Sequence, residues 1–278
     1  MKLEDSLIKR PQRLRKSKIL RNLVQETRLH IDDFIYPIFV TEGKKKEVKS
    51  MPGIYNWTLN EINREIDSLL EHNINKILLF GIPSVKNSSG SYSYSDNGII
   101  QKTLQKLKNE YPDLFIVTDV CFCEYTDHGH CGILDGKVID NDKTIDLLSK
   151  QAISFAKNGS DMIAPSAMMD GMVCAIRNSL DYAGYKSIPI MSYSVKYASS
   201  FYGPFRDAAE CAPQFGNRKG YQMDPPNKKE ALKEVRQDIK EGADIIMVKP
   251  ALSYLDIVTY IEQNIDIPIA CYNVSGEY

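Results

Sequence analysis

A chain of 278 residues with 35 Lys and Arg against 36 Asp and Glu is close to electroneutral, and its 43% hydrophobic and 26% charged residues describe a globular protein. The even balance argues against nucleic acid or an anionic membrane as a partner, because both demand a basic excess. No run approaches 18 consecutive apolar residues, as a transmembrane helix would need, and residues 1–18 lack the apolar stretch of a secretory signal, so a cytoplasmic location is expected.

Behind a basic N-terminal arm, assigned to residues 1–30, one pattern recurs over residues 31–278: a short β-branched apolar run, a polar loop, then a longer amphipathic segment. The runs are 34–40, 77–82, 115–123, 161–167, 188–196, 245–249 and 267–274. Near-continuous apolar runs predict strands covered on both faces, as in a parallel sheet beneath helices. Between them, Thr58 and Glu61 form a capping-box pattern ahead of Ile62, Ile66, Leu69 and Leu70, and a helix beginning near Asn227 is closed by Gly242. This alternation predicts an α/β fold, and no linker rich in Pro, Gly or Ser divides it. Seven runs are one short of a (β/α)₈ barrel, which leaves an open doubly wound sheet or a barrel whose eighth βα unit is missing.

Six cysteines are too few for a disulfide scaffold, yet Cys121, Cys123 and Cys131 fall within eleven residues. Three thiolates make a soft, anionic site suited to zinc, and three protein ligands leave a position open for water or substrate. His128 or His130 as a fourth ligand would make the site structural instead; three reduced cysteines that merely lie near one another are the plain alternative. Cys174, Cys211 and Cys271 are scattered and expected to be small buried hydrophobes.

Two lysines end apolar strands, Lys196 after 191–195 and Lys249 after 245–248. A buried ammonium is costly to desolvate, so a lysine there needs a reason or must snorkel to water. If the two converge, each is expected to lower the other's pKa and free an amine to form a Schiff base with a carbonyl. Downstream, a loop rich in Gly, Pro and aromatics carries Arg206 and Arg218, candidates for bidentate carboxylate recognition, while Lys219, Lys228 and Lys229 read as solvated charges.

The segments 119–132, 191–206, 218–225, 247–256 and 274–278 together closely resemble the porphobilinogen synthase (δ-aminolevulinic acid dehydratase) family, from about Arg10 to the last residue. The resemblance implies a TIM barrel with an arm that wraps a neighbouring subunit, usually in an octamer, and hence a barrel lacking its eighth βα unit. It implies a lyase that condenses two molecules of 5-aminolevulinate to porphobilinogen, with loss of two waters, on the way to haem and other tetrapyrroles. By position, Lys249 resembles the Schiff-base lysine for the first substrate and Lys196 its partner for the second. Arg206 and Arg218 resemble the pair that binds the second substrate's carboxylate, with Gln222 close by, and Ser275 a contact to the first substrate's carboxylate. Asp119 and Ser166 resemble polar residues of the first-substrate pocket. Cys121, Cys123 and Cys131 match the ligands of the zinc-dependent branch, and Glu234 falls where some members bind an allosteric magnesium.

Family members continue past residues 274–278 into an eighth strand, a last helix and a tyrosine that contacts the first substrate's carboxylate. The expectation drawn from this ending is an open barrel with weakened activity, or an inactive remnant. A class I Schiff-base aldolase would explain one lysine but neither the second nor the cysteines, and a zinc-binding module would explain the cysteines alone.

Overall fold

The computed structural model describes residues 9–275 and 277, which divide into a unit ending at Phe34 and a second, Ile35–Tyr278. The first unit holds a 3₁₀ turn, Pro11–Arg15, and a short helix, Lys18–Leu23, whose first turn is capped by Ser17 Oγ accepting from Leu20 N at 3.2 Å. Its apolar side chains Leu14, Ile19, Leu23 and Leu29 are exposed. Among the described residues no helix is long and apolar enough to cross a membrane.

In the second unit the strands are β1 (Tyr36–Thr41), β2 (Lys46–Glu47), β3 (Tyr55–Thr58), β4 (Lys76–Ile82), β5 (Phe115–Val120), β6 (Leu134–Asp135), β7 (Val138–Ile139), β8 (Met162–Pro165), β9 (Met191–Lys196), β10 (Ile245–Lys249) and β11 (Ile269–Cys271). All seven expected runs contain a strand. Those strands stand in chain order, β1, β4, β5 and β8 in one parallel ladder and β9, β10 and β11 in another. A parallel bridge from Ile163 to Ile190, with Ile163 N donating to Pro189 O at 3.0 Å, links the two ladders. Strand β3 lies parallel to β1 on its free side, β2 pairs antiparallel with β3, and β6 with β7 form a separate hairpin.

Helices follow the parallel strands and cover them. Helix Asn141–Lys157 is typical: Asp140 caps it by accepting from Lys143 N at 3.1 Å, and Thr144, Leu148, Ala152 and Phe155 recur at helical spacing on its buried side. The strand interiors are buried almost throughout, as a sheet covered on both faces requires.

Four local expectations need correction. Helix Asn63–Glu71 starts after Ile62, and the Thr58 hydroxyl meets the Glu61 carboxylate directly at 2.8 Å, so side chain bonds side chain where a capping box was expected. Helix Lys228–Glu241 does end at Gly242, with φ +106°. The strand expected over 115–123 stops at Val120, because the cysteines that follow belong to a loop. The run at 267–274 keeps only three strand residues, Ile269–Cys271. Cys174 and Cys271 are exposed, contrary to the expected burial; Cys211 is buried.

Candidate active site

Lys249 and Lys196 are paired residues at the C-terminal ends of adjacent parallel strands β10 and β9. The pairing depends on an irregularity. Ile245 and Ile246 face Met191 and Ser192, but Val248 and Lys249 face Val195 and Lys196, so β9 carries one extra residue between these pairs. Without that shift Lys249 would stand beside Val195, and Lys196 would point to the opposite face.

Both lysines are buried, at 2% and 6% exposure. Around the Lys249 ammonium stand the rings of Tyr272 at 3.7 Å, Phe205 at 4.5 Å, Tyr193 at 5.2 Å and Tyr202 at 5.6 Å. Desolvation, and then the neighbouring Lys196 charge, lowers its pKa to about 7. Lys196 does not follow the expected mutual lowering. Its Nζ donates to Ser166 O at 2.6 Å, and although burial opposes its charge, Cys131, Cys121 and Asp119 outweigh that and raise its pKa. Asp119, on β5, has one carboxylate oxygen buried without a partner. Desolvation and the Glu124 charge push its pKa up to about 7 against the pull of both lysines and the Ser166 hydroxyl.

Cys121, Cys123 and Cys131 converge as expected: all three are buried, their sulfurs lie within 4.8 Å of one another, and the first two are 3.4 Å apart. The histidines do not join them. His130 Nδ1 is 3.1 Å from the Tyr221 hydroxyl and Nε2 is 3.1 Å from Phe215 O; His128 Nδ1 accepts from His130 N at 3.1 Å and its Nε2 is 3.3 Å from Ser88 O. Every ring nitrogen is thus engaged by protein, and among the described residues no candidate metal-ligand group joins a histidine to the thiols.

Arg218 is buried and clamps this loop, its Nη2 donating to Gly129 O at 2.9 Å and to Cys211 O at 2.6 Å. Arg206, in the short helix Gly203–Ala209, reaches only Ser199 O at 3.4 Å, and both arginines keep a buried Nε without a partner. Both amide atoms of buried Gln222 and the Ser275 hydroxyl are likewise unpartnered. Glu234 lines a cavity of about 540 Å³ together with Asp170, Glu230, Asp238 and Gln222, and neither Lys196 nor Lys249 lines it. Desolvation and the neighbouring Asp238, Asp170 and Glu230 raise its pKa to about 7.

The aromatic ring around Lys249, together with Glu124 and Cys211, went unread in the sequence. Tyr193, three residues before Lys196 in an apolar strand, and Tyr202 and Phe205, in the aromatic loop that follows Lys196, carried a signal; Tyr272 reaches the site from a remote segment.

A family model for delta-aminolevulinic acid dehydratase matches residues 8–278. The delta-aminolevulinic acid dehydratase of Halalkalibacterium halodurans is 53% identical over 277 residues, 99% of this chain and 84% of that protein, and the one from Bacillus subtilis is 52% identical over 97% of this chain and 84% of its own length. Among solved structures, delta-aminolevulinic acid dehydratase (porphobilinogen synthase) from Toxoplasma gondii, in complex with the reaction product porphobilinogen, superposes with a TM-score of 0.95 at 41% identity, covering 97% of this chain and 78% of that one. The two buried strand-end lysines and the three-thiol cluster therefore sit in a chain that belongs to the delta-aminolevulinic acid dehydratase family.

Proposed function

We propose that this chain is a porphobilinogen synthase, a lyase that condenses two molecules of 5-aminolevulinate to porphobilinogen with loss of two waters. The observation that carries the reading is the register pairing of Lys249 with Lys196 beside three converging thiols. The consecutive parallel strands are read as the wall of a (β/α)₈ barrel, whose reactive face is formed by strand C-termini.

Lys249 holds the first substrate. A lysine with a pKa near 7 is substantially a free amine at neutral pH. That amine adds to the ketone carbonyl, and loss of water leaves an imine on Nζ. The four rings around Nζ keep bulk water from hydrolysing it. Lys196, held on Ser166 O, retains its proton and orients the second substrate; to form an imine of its own it must give that proton up. Asp119 stands near both lysines with a pKa of about 7, so its unpartnered Oδ1 accepts and returns protons during the dehydrations. The free Nε atoms of Arg206 and Arg218, with Gln222, offer donors for the second substrate's carboxylate, and Ser275 offers its hydroxyl to the first's.

The cysteines fit zinc. Zn–S bonds of ~2.3 Å in a tetrahedral shell set sulfurs ~3.8 Å apart, and here they lie within 4.8 Å of one another, with Cys121 and Cys123 at 3.4 Å. Bound zinc supplies a Lewis acid at the second substrate. Glu234, grouped with Asp170, Glu230 and Asp238 around a cavity that neither lysine lines, is suited to an allosteric magnesium. The exposed apolar residues of the N-terminal unit support an arm that packs on a neighbouring subunit, as in an octamer.

Incubation of the chain with 5-aminolevulinate is expected to give a pyrrole by colour test, and borohydride is expected to trap an adduct on Lys249. Lys249→Arg abolishes both, since a guanidinium cannot be deprotonated to attack a carbonyl. Adducts mapped to surface lysines with Lys249 unmodified would overturn the assignment.

A further inference from the structure

Cys211 is brought by folding to the cysteine loop, eighty residues away in the chain. It follows helix Gly203–Ala209 through Glu210, which adopts a left-handed φ of +50°, and its N–H donates to Arg206 O at 3.1 Å. Its carbonyl is gripped by the same Arg218 Nη2 that binds Gly129 O, so the two loops are tied together. The ligand atoms of Cys123, Glu124 and Cys211 then lie within 4.8 Å of one another, all three residues buried. One carboxylate oxygen of Glu124 is buried with no hydrogen-bond partner.

Glu124 meets the Cys123 thiol and the Arg218 charge, but its Oε1, buried beside two thiols, still has no hydrogen bond, and such an atom is a ready ligand for a cation. We propose that Cys123, Glu124 and Cys211 form a second seat for a soft divalent cation such as zinc, adjoining the seat made by Cys121, Cys123 and Cys131, with Cys123 shared between them. A thiolate sulfur has lone pairs enough to bridge two ions. Two thiolates and a carboxylate around a divalent ion leave one negative charge, and the Arg218 guanidinium stands beside Cys211 to balance it. Two sulfurs and one oxygen select a thiophilic ion over magnesium or calcium. The inference rests on the metal reading of the first seat, and extends it from three thiols to four.

The test is a titration of the full chain, stripped of metal under reducing conditions, with cobalt(II), following thiolate-to-cobalt charge transfer and metal content. Counting only cobalt that brings thiolate charge transfer, which the carboxylates around Glu234 cannot give, the intact chain is expected to saturate at two equivalents, and Cys211→Ser at one. The double variant Cys121→Ser/Cys131→Ser is expected to hold one equivalent that still shows thiolate absorption. Glu124→Gln, close in shape, should weaken the second equivalent roughly tenfold or more while the first is kept, which guards against a Cys211→Ser chain that fails to fold. Saturation of the intact chain at one equivalent that disappears in Cys121→Ser/Cys131→Ser overturns the second seat and leaves the first standing. Two equivalents in Cys211→Ser also overturn it. No cobalt bound by any form overturns both seats.

Discussion

Lys249 gives up its proton at about pH 7 in the fold, against 10.5 for an ordinary lysine, because burial first and Lys196 second oppose its charge. Unfolded, the same side chain holds its proton up to about 10.5, so between those values the unfolded state binds more protons and stability rises with pH across the window. At neutral pH the buried lysine therefore costs about 5 kcal/mol relative to a pH where it is neutral in both states. Lys249→Met, inactive, is expected to melt higher than the parent at pH 7, with the difference shrinking as pH approaches 10; calorimetry of both proteins across that range measures it. Cys121 gives a second pH signature. Burial, together with Cys123 and Cys131, pushes its thiol well above the usual range, so metal must displace protons on binding. Zinc affinity is expected to climb as pH rises through neutrality, with proton release detected by calorimetry in buffers of different ionisation enthalpy.

At the level of elements, a one-residue irregularity in β9 brings the two lysines together, because it turns Lys196 to the face that Lys249 occupies. The cysteine loop is set by an equally local constraint. Gly129 has φ +70°, and a Cβ there would sit 2.4 Å from Ala212 O, in the segment that carries Cys211. Gly129→Ala is expected to cost about 1–3 kcal/mol of stability and to lower metal affinity as the two loops part. Gly136→Ala, at φ +61° with nothing within 4 Å of a new Cβ, meets backbone strain alone and should leave metal binding intact. Chemical denaturation and zinc titration of the two variants distinguish these outcomes.

Across the whole molecule, the candidate site residues all belong to Ile35–Tyr278, while the unit ending at Phe34 presents Ile19, Leu23 and Leu29 at 75% exposure or more. Apolar side chains left in water on so small a unit are expected to be covered by another copy of the chain. A chain beginning at Ile35 should keep its fold and its borohydride-trappable lysine yet sediment as a smaller assembly than the intact protein. Equal sedimentation of both would show that the arm does not hold subunits together.

The sequence by itself determined the strand–helix alternation, the strands of the seven expected runs, the clustered cysteines and the two strand-end lysines, because apolar runs, ligand spacing and a charge at a strand end are local patterns. It missed β2, β3, β6 and β7, which at two to four residues are too short to show a period. Only the tertiary structure decided the rest. The extra residue in β9 is visible only against its partner strand. His128 and His130 are held on Tyr221, Phe215 and Ser88, which folding brings to them, rather than on the thiol cluster. The raised pKa of Lys196 follows from Cys131 and Cys121 in the cysteine loop and Asp119 on β5. Cys211 joins the cluster through an arginine clamp between two loops. Each of these depends on which distant groups share a small, dry volume, and that is fixed by packing alone.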